Sequence, residues 1–129
     1  MTARVILVAS TLLLGMTVAS PGVRAESHQA PGEAAFKKHC VNCHSLVPGM
    51  STIAPDLHGI MGRKVGTVPD YKYSDDLKKA DFTWTPDKMN EWLKSPHGVV
   101  PGTEMSYPGE KDAKVRAQIV ESVEHMKAK

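Results

Sequence analysis

An excess of charge of one sign is missing from this 129-residue chain: 16 Lys and Arg stand against 14 Asp and Glu. Such a balance carries no signature of a nucleic-acid binder or of an acidic surface. Cysteine is nearly absent as well. Cys40 and Cys43 are too few for a disulfide scaffold or a four-thiolate zinc site. Aromatic residues make up 5% of the chain, and a small fold with so few of them has a thin core. A bound organic cofactor would supply the missing apolar volume. There is no internal repeat, no low-complexity tract and no convincing strand pattern, and the length suits one domain.

The one long apolar run lies at the start. Arg4 opens it with a positive charge, Val5 to Val18 carries no charge, and Pro21-Gly22 breaks it before Val23-Arg24-Ala25. That order matches a secretion signal, with cleavage expected after Ala25. The run is shorter than the ~20 residues a membrane-spanning helix needs, and Ser10, Thr11 and Thr17 interrupt it. The expected organisation is residues 1–25 as a cleavable signal and 26–129 as a single domain. Cleavage removes Arg4 and Arg24 but no acid, so 14 cations face 14 anions in the mature chain.

Residues 32–40 lack a breaker after Gly32, and Gly32, Phe36 and Cys40 share one face, which predicts a short helix with Pro31 at its first turn. Residues 45–70 are punctuated by Pro48, Gly49, Pro55, Gly59, Gly62, Gly66 and Pro69, which excludes a long helix. A loop of that length in a small domain points to function. Ser74 predicts the cap of a short helix within 71–80. Thr85-Pro86 predicts the start of another, with Met89, Trp92 and Leu93 on one face and Pro96 as its end. Residues 97–109 read as loop. From Lys111 onward Val115, Ile119, Val123 and Met126 form one helical stripe. The expectation is an all-α fold of four or five short helices, its long Gly/Pro loops wrapped around a central cofactor.

Cys40-Val41-Asn42-Cys43-His44 is C-x-x-C-H, the attachment signature of c-type haem. Two thiols at this spacing add across the two vinyl groups of one haem, and the next histidine lies where its imidazole meets the iron. A thioredoxin-like redox pair would want a βαβ context, which is absent. A zinc site would want a second ligand pair, which does not follow. A Cys40–Cys43 disulfide is the remaining rival in an oxidising compartment. The export signal favours haem, because c-type attachment is completed outside the cytoplasmic membrane.

His44 leaves one axial position on the iron. Met50, Met61, Met89, Met105, Met126, His58, His97 and His125 all follow the motif. Met89 and Met126 sit on apolar helix faces, where methionine is usually packing. Met105 follows Pro101-Gly102-Thr103-Glu104, a stiff turn that can present one side chain. It leads by position, and the others stay open.

Taken in order, these motifs resemble the class I cytochrome c family, in its soluble bacterial and mitochondrial-type branch. The likeness covers most of residues 32–126. Ala54-Pro55-Asp56-Leu57-His58-Gly59-Ile60-Met61-Gly62-Arg63 is similar to the family's G-P-N-L-H-G-x-x-G-R stretch, and Pro101-Gly102-Thr103-Glu104-Met105 to its P-G-T-K-M loop. Tyr71-Lys72-Tyr73-Ser74 and Trp84 fall between them. The resemblance implies one covalent haem c on Cys40 and Cys43, with His44 and Met105 as axial ligands. It implies that the Pro55 carbonyl orients the His44 ring. Arg63, Tyr73 and Trp84 would compensate a buried propionate, which is costly alone. Thr103 and Trp92 would line the Met105 side, and Gly32 and Phe36 would pack on the last helix near Ile119.

The chain departs from the family at Glu104, where lysine is usual, and at Ser122, near where the last helix often has an aromatic. Lys37, Lys38, Lys64, Lys72, Lys78, Lys79 and Lys94 remain, yet the mature balance is neutral. Two strong ligands leave no open iron site and raise the reduction potential. The expected role is a monomeric periplasmic electron carrier, not an enzyme. It would dock transiently with a quinol-oxidising complex, dehydrogenase, oxidase, reductase or photosynthetic centre. A fixed haem subunit of a larger redox complex and a peroxidase-like enzyme are the alternatives.

Overall fold

Five short helices carry the fold in a computed structural model that describes residues 31–51 and 53–125. The expected signal, residues 1–25, and Met126 lie outside the described residues. Helix α1, Pro31–His39, begins on Pro31 as the sequence predicts. Glu33 in its first turn and Lys37, Lys38 and His39 in its last complement the helix dipole. It buries Gly32, Ala35 and Phe36.

Local chemistry starts each of the other helices. In α2, Asp75–Lys79, the Leu77 N–H donates to Ser74 Oγ at 3.3 Å. In α3, Pro86–Lys94, the Lys88 N–H donates to Thr85 Oγ1 at 3.1 Å. Helix α5, Ala113–His125, opens on Asp112, whose carboxylate accepts from Lys114 N at 2.8 Å. Each such cap satisfies a backbone donor that the helix itself cannot.

One expectation beside a helix end is corrected: residues 97–109 do not begin as loop. Helix α3 stops before Pro96 as expected, on Ser95, whose N–H donates to the Glu91 and Trp92 carbonyls. Pro96 itself opens a further turn, α4, Pro96–Val99, with Ser95 Oγ accepting from Gly98 N at 3.1 Å. A proline breaks a helix that runs into it but suits the first turn of the next. The segment after residue 96 is therefore helical before it becomes loop.

Helix α1 crosses α5 closely, and α3 packs on both α5 and α4. Gly32 makes the α1–α5 crossing possible. A Cβ there would stand 2.6 Å from the Gln118 carbonyl oxygen and 3.2 Å from Ser122 N. Phe36, Ile119 and Val123 are buried at this crossing, and Met89, Trp92 and Leu93 extend the core along α3. Between α1 and α2 the chain is loop among the described residues. It is pinned by a single bridge, Lys64 to Thr83, with Val65 N donating to Phe82 O at 3.0 Å and Trp84 N to Arg63 O at 2.9 Å. Gly66 serves this loop with φ +72°, a backbone conformation that only glycine adopts freely. No helix among the described residues is long and apolar enough to cross a membrane.

Candidate haem site

The C-x-x-C-H motif unwinds directly from the end of α1. Cys40 N donates to Phe36 O at 2.8 Å and continues the helix, and His44 N returns to Cys40 O at 2.9 Å. The turn separates the two thiols. Cys40 is half-buried and Cys43 is exposed. Burial pushes the Cys40 thiol up to about 12, and the neighbouring Cys43 adds to the rise.

His44 lines an apolar cavity together with Cys40, Pro55, Tyr73, Trp84 and Met105. Its Nδ1 lies 2.8 Å from the Pro55 carbonyl oxygen, to which it donates as the neutral tautomer. Burial lowers the imidazole pKa, opposed by this hydrogen bond. The ring is thus held neutral with Nε2 unprotonated, the form that binds a metal.

Met105 enters the same cavity from the segment between α4 and α5. The Thr103 hydroxyl accepts from Met105 N at 3.3 Å, and the Trp92 indole donates to Met105 Sδ at 3.2 Å. Trp92 stands edge-on to Trp84, ring centroids 5.4 Å apart, and both are buried. Of the other ligand candidates among the described residues, only Met89, buried on α3, lines this cavity. Met50 is exposed, His97 is exposed with Nδ1 3.2 Å from the Pro101 carbonyl, and His58 lines a neighbouring cavity. His125 is exposed against Glu121 O.

Most of the residues singled out from the sequence meet here: Cys40, His44, Pro55, Tyr73, Trp84, Trp92, Thr103 and Met105 all line the cavity. Two do not. Cys43 lies at its outer side, in the exposed grooves of the motif. Arg63 lines the adjoining cavity with Asp56, His58 and Tyr71. It stays electrostatically coupled to Tyr73, whose hydroxyl is raised chiefly by burial and lowered in part by Arg63. Sequence reasoning gave no cofactor role to Leu57, Ile60, Leu77 or Val123, which complete the apolar lining. Their signal was only that of ordinary core.

The donor set fits a haem. An imidazole and a thioether face one apolar cavity, and a cysteine at its wall is paired with a second outside. An apolar lining of this kind would limit solvent access to a bound iron and so tune its potential.

No family model matches the chain. Individual proteins do. A cytochrome c2 of Rhodopila globiformis is 37% identical over 102 residues, covering 75% of this chain and 96% of that protein. A cytochrome c2 of Blastochloris viridis is 33% identical over 120 residues, covering 91% and 94%. The solved structure of cytochrome cH from Methylobacterium extorquens superposes with a TM-score of 0.69 at 36% identity, covering 74% of this chain and 96% of that one. These relatives mark the chain as a haem-carrying electron-transfer protein rather than an enzyme. The chain belongs to the class I monohaem cytochrome c family. Its cofactor is a covalent c-type haem, which the spacing of Cys40 and Cys43 fits.

Proposed function

We propose that the chain is an exported one-electron shuttle whose haem iron is held by His44 and Met105. The observation that carries this reading is that these two side chains enter one apolar cavity, each with a partner that orients it. Bound haem supplies an iron that alternates between ferrous and ferric states. Every other part of the task falls to the protein. Pro55 fixes the ring plane of His44 and keeps Nε2 free of its proton. Thr103 fixes the backbone of Met105, and Trp92 holds its sulfur.

With His44 and Met105 both holding the iron, no position would be left for oxygen or peroxide, which favours transfer over catalysis. The hydrogen bonds that hold His44 and Met105 in place would limit how far these two side chains move between the two oxidation states. Residues 1–25 direct export, and the mature chain works in the periplasm as a monomer. Its donors and acceptors are redox proteins met through small, transient contacts. These include a quinol-oxidising complex or dehydrogenase on one side and an oxidase, reductase or photosynthetic centre on the other.

Potentiometric titration of the exported holoprotein tests the reading. A single reversible one-electron wave at positive potential is expected from His/Met ligation. A strongly negative wave, as two histidine ligands would give, contradicts it.

A further inference from the structure

Four large apolar side chains stand exposed among the described residues: Val41, Val47, Met50 and Ile53, at 51, 56, 68 and 67% relative exposure. All four lie on the segment that carries Cys43 and His44, and Cys43 itself is exposed. Two grooves meet at Asn42-Cys43-His44. Val41, Val47 and Met50 line one, and Ile53, Tyr107 and Pro108 line the other.

The charges on these grooves do not add up to a basic face. Lys37 and Glu33 line the first, and Glu104 and His39 line the second. His39 faces Glu110 at 3.9 Å. Three of the chain's other lysines are held by acids away from these grooves: Lys64 by Asp81, Lys78 by Asp75 and Lys88 by Glu91. Among the described residues Lys37 is the one lysine that lines either groove, beside Glu33 and Glu104, so an acidic partner would find little positive charge to complement in the grooves. A cluster of exposed apolar side chains, in contrast, marks a protein contact, and a flexible thioether such as Met50 adapts to more than one surface.

We propose that Val41, Val47, Met50 and Ile53 form the docking face around Cys43, and that it fits a redox protein whose own electron-exit surface is apolar and poor in charge. The proposal rests on the electron-shuttle reading. Apolar contact at this face gives a weak encounter that salt hardly changes, since long-range charge steering contributes little to it.

Voltammetry of the holoprotein on two monolayer-coated gold electrodes, one methyl-terminated and one carboxylate-terminated, tests this with probes of known chemistry. The protein should bind and exchange electrons on the methyl surface, with a response that persists at high salt. On the carboxylate surface the response should be weak. Met50→Ser alone should lower binding to the methyl surface. Val47→Ser, Met50→Ser and Ile53→Ser together should lower it roughly tenfold or more, since ~1.4 kcal/mol of lost apolar burial is tenfold in affinity. Helical circular dichroism and the haem spectrum of these variants should match the parent, because all three side chains are exposed.

Preference for the carboxylate surface, or unchanged methyl binding by the triple variant, overturns the proposal. Equally strong and variant-sensitive binding to neutral phosphatidylcholine vesicles also overturns it, in favour of a membrane surface. A titration with small soluble mediators separates the two levels of failure. If no reversible couple exists, the shuttle reading falls; if the couple is intact but the methyl preference is missing, only the docking face falls.

Discussion

The indole N–H of Trp92 points at the sulfur of Met105, with Nε1 3.2 Å from Sδ. Tryptophan can donate this bond but cannot accept one, so the contact only draws electron density away from the thioether. A poorer sulfur donor favours the ferrous over the ferric iron.

Trp92→Phe removes the donor and keeps an aromatic ring. A hydrogen bond is worth about 0.5–1.5 kcal/mol net, and only part of that differs between the two oxidation states. At ~59 mV per tenfold change for one electron, the whole bond would be worth roughly 20–60 mV, so the midpoint potential should fall by about 10–30 mV. Spectroelectrochemistry checks this. An unchanged or raised potential would remove Trp92 from the control of Met105.

Two substitutions at the α1–α5 crossing should move stability in opposite directions. Gly32→Ala places a Cβ 2.6 Å from the Gln118 carbonyl oxygen and should cost about 1–3 kcal/mol, as overpacking does. Ser122 Oγ is buried without a hydrogen-bond partner among the described residues. Ser122→Ala relieves that unpaired hydroxyl and should be neutral or stabilising by up to ~1 kcal/mol. Thermal unfolding of the two holoproteins distinguishes them. Destabilisation by Ser122→Ala would mean that the hydroxyl has a partner after all.

Arg116 is buried on α5 and clamps the segment before that helix. Its guanidinium donates to the Glu110 and Lys111 carbonyls at 2.8 and 2.9 Å and to Asn90 Oδ1 at 2.9 Å. Arg116→Met leaves those acceptors unpaired and should destabilise by about 2–4 kcal/mol, read as a lowered denaturation midpoint. A loss below about 0.5 kcal/mol would show that water replaces the guanidinium at no cost.

Burial holds the Tyr73 hydroxyl above its ordinary value of 10.0; the Val68 backbone and Arg63 oppose the rise, and Tyr71 and Asp56 add to it. The folded state keeps this proton more tightly than the unfolded chain does. The resulting stability is fully present below about pH 10 and is lost as pH rises through the folded value. Denaturation midpoints should therefore fall above about pH 10, and Tyr73→Phe should flatten that fall. The same alkaline slope in both proteins would contradict the assignment.

What the sequence made legible was local. The spacing of Cys40, Cys43 and His44 follows from haem chemistry, and Ser74 and Thr85 announce helices because a cap acts within three residues. Pro96 marks the end of α3 as expected, but the turn it opens was not legible, because one residue type serves both as a helix stop and as a first-turn residue. Arg116 passed unnoticed because its partners include Asn90 on another helix, which no local pattern reveals. Arg63 was assigned by resemblance to the haem side, and its side chain lies in the adjoining cavity. Met105 was one of several candidates by position. The fold brings Met105 into the cavity that His44 lines and leaves Met50, His58 and His97 out of it, while Met89 lines it too.

The central claim, that His44 and Met105 together close the iron of one covalent haem, is tested most directly by absorption spectroscopy of the exported protein beside Met105→Ala. The parent should be low-spin and show the weak far-red band of an iron–thioether bond. The variant should lose that band and gain high-spin character. A spectrum unchanged by the substitution would contradict the account and place the sixth ligand elsewhere.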